Sequence, residues 1–483
     1  MDNFADIVWG ISAATHDASL TVMQGDTILF ASHSERFTGI KNDKHLSKDL
    51  VRYALRWGHP TKIYWYEDPY WKATRKIFAG QKRPWLNPKE YLKNFIELDY
   101  IQPEIIYGDH HKSHAAASYY TSPFTSAAIV VADAIGEWTT TSIWHNMKCL
   151  KRWYYPKSLG LFYSAMTDRV GLKPNEDEYI LMGMAAYGNE WKYEARIREE
   201  ILESGLNLHK GIKGWAPELT TEQDLFDIAA GSQLVYEEEF CKLLEEAAQL
   251  TGEKNVVLSG GCALNCLANR LIPQYFENNW IMPNPGDAGS SLGAILAAKD
   301  SYCNWGGPYL GYNIVKPYPI EPLVKELKAT GMAGVANGPA EFGPRALGNR
   351  SLLADPRGET MKAKVNTIKN RQEFRPFAPV IRQEDVSKVF NVEKDFVSPY
   401  MQYIVTCKFP DKYPAIVHKD GTSRVQTVTR KENAGLYDTL TRWYQDTGCP
   451  LLLNTSLNIK GQPIVNNEKD AENFAKHYGV KVF

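Results

Sequence analysis

The sequence has no CxxC pair, and its seven cysteines are an odd number. That excludes a complete disulfide framework and a cysteine-built zinc site, and leaves reduced thiols as the reading. No apolar run approaches the ~20 residues of a membrane helix. The opening MDNFADIVWG has neither a basic flank nor an apolar stretch of signal-peptide length, so a cytoplasmic protein without a membrane partner is expected. Neither sign of charge dominates: 55 Lys and Arg face 56 Asp and Glu. No global field marks a nucleic-acid or membrane binder, so any basic site must be local. Low-complexity tracts are missing as well, and 44% hydrophobic with 23% charged residues is the balance of an ordinary globular chain. What is present is length, since 483 residues exceed one core and point to two or three domains.

The stretch DIVWGISAATHDASLTVMQGDTILFASHSER reads as three short strands, with turns near His16-Asp17 and at Gln24-Gly25-Asp26. A similar unit returns as AAIVVADAIGEWTTTSIWHNMKCLKRWYY, its polar turn running from Asp133 to Glu137. Helical periodicity follows, for example around Tyr236 to Gly252. The repeat predicts a duplicated α/β domain that closes over a nucleotide, with two unrelated meanders as the plain alternative. In NVVLSGGCALNCLANR the strand Val256 to Leu258 runs into Ser259-Gly260-Gly261, a turn of the kind that sets backbone N–H groups against a phosphate or ribose. In NPGDAGSSLGAILAA, Asp287 opens a helix among small residues that allow close approach of a ligand. The character changes after Trp305-Gly306-Gly307-Pro308, and from about Val324 basic residues outnumber acids. The expected domains are 1–324 and 325–483.

The run IIYGDHHKSHAAASYY places three histidines in five positions. On a helix His110 and His114 share one face and can share a metal, while His111 points elsewhere. An ordinary surface helix start is the alternative. Asp133 and Asp287, at strand-end turns, are the best further donors, and two histidines with carboxylates suit non-haem iron or manganese better than structural zinc. The second constellation is basic. Arg345, Arg350, Lys369, Arg371 and Arg375 sit among glycines and prolines, with His418, Arg424 and Asn454 beyond. Arginine forks match phosphate oxygens, so a phosphate-bearing substrate is expected; a fold-stabilising ion-pair network is the alternative.

The motifs GISAATHDASLTV, SERF, DHHKSHAAASYY, VVADAIGEWTTTSI, SLGLFYSAMTDRVGLKPNEDEY, LMGMAAYG, LSGGCALNCLANR, NPGDAGSSLGA, EFGPRALGNRSLLADPR, FRPFAPV, HKDGTSRVQTV and LLLNTSLN occur in this order. Together they resemble the O-carbamoyltransferase family of NodU/CmcH type over nearly the whole chain. The resemblance implies an actin-like ATPase-fold (ASKHA) N-terminal domain and a YrdC-like α/β C-terminal domain. It implies carbamoyl phosphate and ATP as co-substrates, a carbamoyl-adenylate, and transfer to an acceptor hydroxyl. On it, His110, His114, Asp133 and Asp287 fall at metal positions, usually iron(II), with manganese or magnesium as alternatives. The turn with Gly260, Gly261 and Asn265 falls on a nucleotide-contacting loop. Arg345, Arg350, Arg375, His418, Arg424 and Asn454 fall in motifs that hold carbamoyl phosphate and the adenylate. His16 is the candidate base or orienting group at the acceptor hydroxyl, with a buried structural histidine as the alternative. Two departures stand out: Ile180 where the family commonly has lysine, and Pro339-Ala340 where it commonly has Arg-Met.

For the acceptor, Pro69 to Lys89 carries Lys72, Arg75, Lys76, Lys82, Arg83 and Lys89 without an acid, interleaved with Tyr70, Trp71, Phe78 and Trp85. Cations and stacking rings suit nucleic acid, so a hydroxymethylpyrimidine in DNA or a nucleotide is one expected acceptor. A basic helix with aromatics packed inward is the structural alternative. A small natural-product or sugar hydroxyl, a threonylcarbamoyl-type tRNA modification and a non-catalytic nucleotide sensor are the other functions weighed. A homodimer is compatible with all of them.

Overall fold

The computed structural model describes residues 6–82, 85–375 and 377–483; Arg83 of the basic segment lies outside them. Contacts divide the chain into two compact units. One runs to Ser34 and resumes over Asn42–Trp305, and the other is made of Glu35–Lys41 and Gly306–Phe483.

In the first unit β1 (Ile7–Ser12), β2 (Ser19–Gln24) and β3 (Thr27–His33) form an antiparallel meander. β4 (Lys62–Trp65) and β5 (Glu104–Tyr107) add in parallel on the other side of β1, giving the order β3-β2-β1-β4-β5. The same construction returns in β6 (Ala128–Ala132), β7 (Thr139–His145), β8 (Lys148–Tyr154), β9 (Asn255–Ser259) and β10 (Asn278–Ile281), ordered β8-β7-β6-β9-β10. The two meanders seen in the sequence are therefore one repeated design. Their turns permit it: the β1–β2 connection contains Ala14 and Asp17 at positive φ, and β6 is the wholly buried AIVVA expected of a strand covered on both faces. Helix Glu222–Thr251, opened by a Thr221–Asp224 capping box and closed by Gly252 in the left-handed region, leads into β9.

Two helices position the site. His110–Tyr119 follows β5, and Ser290–Lys299 follows β10. A Cβ on Gly293 would stand 2.0 Å from the Ser113 carbonyl oxygen, so glycine lets these backbones approach. The small residues after Asp287 serve helix packing here, where the sequence suggested room for a ligand.

In the second unit β11 (Tyr309–Ile314) pairs with β13 (Gly338–Glu341). β12 (Met332–Ala336), β14 (Arg350–Ala354), β15 (Ala378–Arg382), β18 (Gln426–Val428) and β19 (Leu451–Ser456) form a mixed sheet ordered β12-β14-β19-β15-β18. β16 (Ile404–Thr406) pairs with β17 (Thr422–Arg424). Helices Ile320–Thr330, Ala434–Thr447 and Glu468–Tyr478 contribute Leu323, Leu327, Leu440, Trp443 and Phe474 to its core. Residues 306–324, read from sequence as the end of the first domain, thus pack with the second unit through Ile314, Leu323 and Val324. Among the described residues no helix is long and apolar enough to cross a membrane.

Candidate functional site

Helix His110–Tyr119 begins with Asp109, whose carboxylate accepts from Lys112 N–H at 2.7 Å and fixes the helix start. That start sets His110 and His114 one turn apart on a buried face. Asp133 lies just beyond β6, and Asp287 lies in the turn after β10. The four residues bring one donor atom each to within 4.8 Å of all the others. His110 Nε2 is 3.3 Å from Asp133 Oδ2 and 3.5 Å from Asp287 Oδ1. His114 Nε2 is 3.1 Å from Asp287 Oδ1 and 3.1 Å from His110 Nε2.

The surroundings define which nitrogen faces inward. His114 Nδ1 donates to the Pro285 carbonyl at 3.1 Å, and His110 Nδ1 faces Glu67 Oε2 at 3.7 Å. With the ring protons on those outer nitrogens, two imidazole lone pairs and two carboxylate oxygens converge with no hydrogen between them. Such a buried set is repulsive until a cation sits in it, so the residues present fit a divalent metal. The field of the carboxylates draws positive charge, a proton or a cation, to this place. Burial lowers the pKa of His110, yet Asp287, Asp133 and Glu67 outweigh it and hold it well above an ordinary imidazole. Burial raises the Asp133 pKa, and His110 and His114 reverse that and leave it below the usual carboxylate range. His111 turns away as expected: Nδ1 lies 2.8 Å from Ser142 Oγ, and burial with the neighbouring histidines pushes its pKa well down. His16, half-buried in the β1–β2 turn, has Nδ1 3.0 Å from Asp17 Oδ2. Burial pulls its pKa down, but Asp17, Asp287 and Asp133 raise it to about 9.

The SGG turn plays another part than the one expected. A Cβ on Gly260, at φ +87°, would meet the Ala132 carbonyl oxygen at 2.1 Å, and Gly261 N–H donates to Asp133 Oδ1 at 3.1 Å. The turn holds a candidate metal ligand. Asn265 caps helix Cys266–Asn269 through Ala268 N–H, and its amide pairs with Gln233 in two 3.2 Å bonds, so its polar atoms are committed.

In the second unit Lys369 is buried, its Nζ donating to Ser456 O at 2.6 Å, Ser456 Oγ at 3.1 Å and Asn458 Oδ1 at 2.6 Å. Burial, then Arg371, Arg375 and Lys41, push its pKa well below the lysine range, which records a concentration of positive charge. Arg345, Arg375, His418 and Arg424 are half-buried in this unit. Arg424 Nε is buried without a hydrogen-bond partner among the described residues. Arg350 corrects the sequence reading. Its fully buried guanidinium donates to the carbonyls of Asn466, Asn337, Gly338, Asn349 and Tyr312 at 2.8–3.1 Å, so it holds backbone and is not placed to grip a phosphate. Asn454 Nδ2 likewise donates to Ala346 O and Gln426 Oε1, supporting the GPRAL loop, while Oδ1 stays buried and unpartnered among the described residues. Of the two departures, Ile180 and Ala340 are core residues.

Sequence reasoning passed over several residues. Glu137, its pKa raised by burial to about 7, accepts from Asp68 N–H at 2.7 Å and His110 N–H at 3.1 Å. Glu341 Oε1 accepts from Leu347, Asn349 and Arg350 N–H and shapes the GPRAL loop. Arg36 of SERF, buried, donates to Gly343 O at 3.1 Å. Glu67, two residues beyond β4, faces His110, and its position as an acid just past a strand end was the available signal.

A buried cage of two histidines and two carboxylates in a duplicated α/β unit is a candidate cation site, and the basic cluster of the second unit is a candidate anion site. Comparison with known proteins gives the family. Residues 7–296 match the family described as Carbamoyltransferase N-terminus and residues 324–483 that described as Carbamoyltransferase C-terminus, and the chain belongs to this carbamoyltransferase family. It is 32% identical to an uncharacterized protein of Synechocystis, over 96% of this chain and 93% of that one. It is 28% identical to nodulation protein NolNO of Sinorhizobium fredii, over 94% and 76%. It is 33% identical to the 3'-hydroxymethylcephem-O-carbamoyltransferase of Amycolatopsis lactamdurans, over 64% of each chain.

Proposed function

We propose that the chain is an O-carbamoyltransferase that moves the carbamoyl group of carbamoyl phosphate, by way of a carbamoyl-adenylate made with ATP, to a hydroxyl of a small acceptor. The observation that carries this reading is the convergence of His110, His114, Asp133 and Asp287 in a member of the carbamoyltransferase family. The repeated sheet order supports an actin-like ATPase fold for the first unit. The second unit is read as the YrdC-like domain that forms the adenylate.

In the scheme, water attacks the phosphorus of carbamoyl phosphate and breaks its P–O bond, giving inorganic phosphate and carbamate, whose oxygen then takes the adenylyl group of ATP as pyrophosphate leaves. The acceptor oxygen then forms its bond to the carbamoyl carbon, AMP departs, and the hydroxyl proton passes to a base. Arg371 and Arg375, with Arg345, offer the charge that offsets the leaving phosphate. His16 is the residue assigned to orient the acceptor hydroxyl, since it sits in the turn within the electrostatic reach of Asp287 and Asp133. A divalent cation held by the four ligands would polarise the carbamoyl carbonyl as a Lewis acid. Two imidazole nitrogens favour iron(II) or manganese over magnesium, which prefers oxygen and keeps its waters.

The aromatic-basic segment supports a small acceptor. In helix Pro69–Phe78, Lys72 and Arg75 are buried, whereas Tyr70, Trp71 and Phe78, with Trp85 beyond, are exposed. Nucleic acid calls for cations outward to meet phosphates, and on this helix the rings face out while Lys72 and Arg75 face in, with the exposed Lys82 and Lys89 beyond it. Contact with the ring of a small acceptor, as in the hydroxymethylcephem that names one relative, fits this face better. The test is incubation of the protein with ATP, carbamoyl phosphate and a divalent metal. AMP release dependent on carbamoyl phosphate is expected, with a carbamoyl mass increment on a hydroxymethylcephem or sugar and none on hydroxymethylcytosine DNA. AMP release that ignores carbamoyl phosphate would refute the function, and modification of the DNA alone would refute the acceptor class.

A further inference from the structure

We propose that Glu67 and Lys72 are positioning residues of the cation site: Glu67 sets the ring of His110 so that Nε2 faces the other three ligands, and Lys72 holds Glu67 in that place. The inference rests on the metal reading of the four-residue site.

Glu67 lies two residues beyond β4, and Lys72 lies in helix Pro69–Phe78, which Asp68 caps. Both side chains are buried, and Lys72 Nζ stands 2.5 and 2.7 Å from the two Glu67 oxygens. A buried ion pair of this kind is weak support for stability, because desolvation of the two charges offsets their attraction. Its location supplies a better reason. Glu67 Oε2 faces His110 Nδ1 at 3.7 Å, and that nitrogen has no hydrogen-bond partner among the described residues. The Tyr66 ring, 5.3 Å from that of His110, closes one side, and a Cβ on Gly136 would come within 2.7 Å of the imidazole on another. The ring is thus confined sterically and faces one carboxylate on its outer edge. A carboxylate behind a ligating histidine selects the tautomer that leaves the opposite nitrogen free for metal.

Lys72 has a second task in the same geometry. Its Nζ also lies 3.2 Å from Thr15 Oγ1 and 3.3 Å from Tyr66 OH, and Thr15 precedes His16. With both oxygens held by an ammonium, Glu67 is kept from swinging inward as a fifth ligand. The same ammonium ties the His16 turn to the cation site.

Co(II) is the probe, because its visible bands report ligand number and geometry independently of turnover. The full chain and its Glu67→Gln and Lys72→Met variants are titrated with Co(II), with thermal melts to establish folding. Glu67→Gln, which keeps shape and removes charge, should weaken Co(II) binding about 10- to 100-fold and shift the bands. Lys72→Met should shift the bands as well, because the freed carboxylate enters the coordination sphere. Wild-type affinity and spectrum in both folded variants would overturn the inference while leaving the metal reading intact. Failure of the wild-type chain to take up Co(II) would overturn the metal reading, and this inference with it.

Discussion

His114 leaves little doubt about which of its nitrogens is available. Nδ1 is fixed on the Pro285 carbonyl, and Nε2 points at Asp287 and His110. His114→Ala should leave purified protein without stoichiometric Fe(II) or Co(II) and without carbamoyl transfer, and wild-type metal content by elemental analysis would remove the site. Arg350 argues the other way, as a residue whose chemistry suggests ligand binding and whose geometry denies it. Arg350→Met keeps the stem but strands five carbonyls, and should lower stability by about 3 kcal/mol or more. An unchanged denaturation midpoint would contradict that role. The contrast shows what the sequence could reveal. Two histidines a helical turn apart are legible from local spacing, whereas the two acids, far off in the chain, were offered by their strand-end turns and by resemblance. An arginine among glycines suits carbonyls or phosphates equally well until Tyr312, Asn337 and Asn466, far apart in the chain, are brought together.

At the scale of elements, the cation site depends on how closely two helices approach. Helix Ser290–Lys299 meets helix His110–Tyr119 at Gly293, where any side chain would collide with the Ser113 carbonyl one residue before His114. Gly293→Val should therefore cost about 1–3 kcal/mol or more through overpacking, and it should also reduce Co(II) affinity by moving His114 away from Asp287. A variant that loses stability but binds metal as wild type would separate the packing from the site. The repeated meanders were legible because alternating apolar strands and polar turns are local signals. The orientation of helix Pro69–Phe78 was not. Its cations and rings alternate closely enough that either set could face inward, and the decision comes from Glu67, outside the helix, which draws Lys72 into the interior.

For the whole molecule, the division of the chain predicts that the two half-reactions can be separated by mutation. The candidate cation site lies wholly in the unit that contains Asn42–Trp305, and the basic cluster lies in the unit made of Glu35–Lys41 and Gly306–Phe483. The second unit has its own sheet and its own core, centred on residues such as Phe390, Leu452 and Trp443. Arg345 is half-buried in the loop that Glu341 and Asn454 shape, two residues beyond the carbonyl held by Arg36. Removing its guanidinium deletes a positive charge of this unit, while Glu341, Asn454 and Arg36 still hold the loop. Arg345→Ala should therefore lose carbamoyl-phosphate-dependent AMP formation by a factor of 100 or so, which corresponds to about 3 kcal/mol of transition-state stabilisation. The same variant should bind Co(II) with wild-type affinity and spectrum. Normal AMP formation in the variant would withdraw the adenylate assignment from the second unit, and loss of both activities together would show that the units do not act as the separate parts their cores suggest.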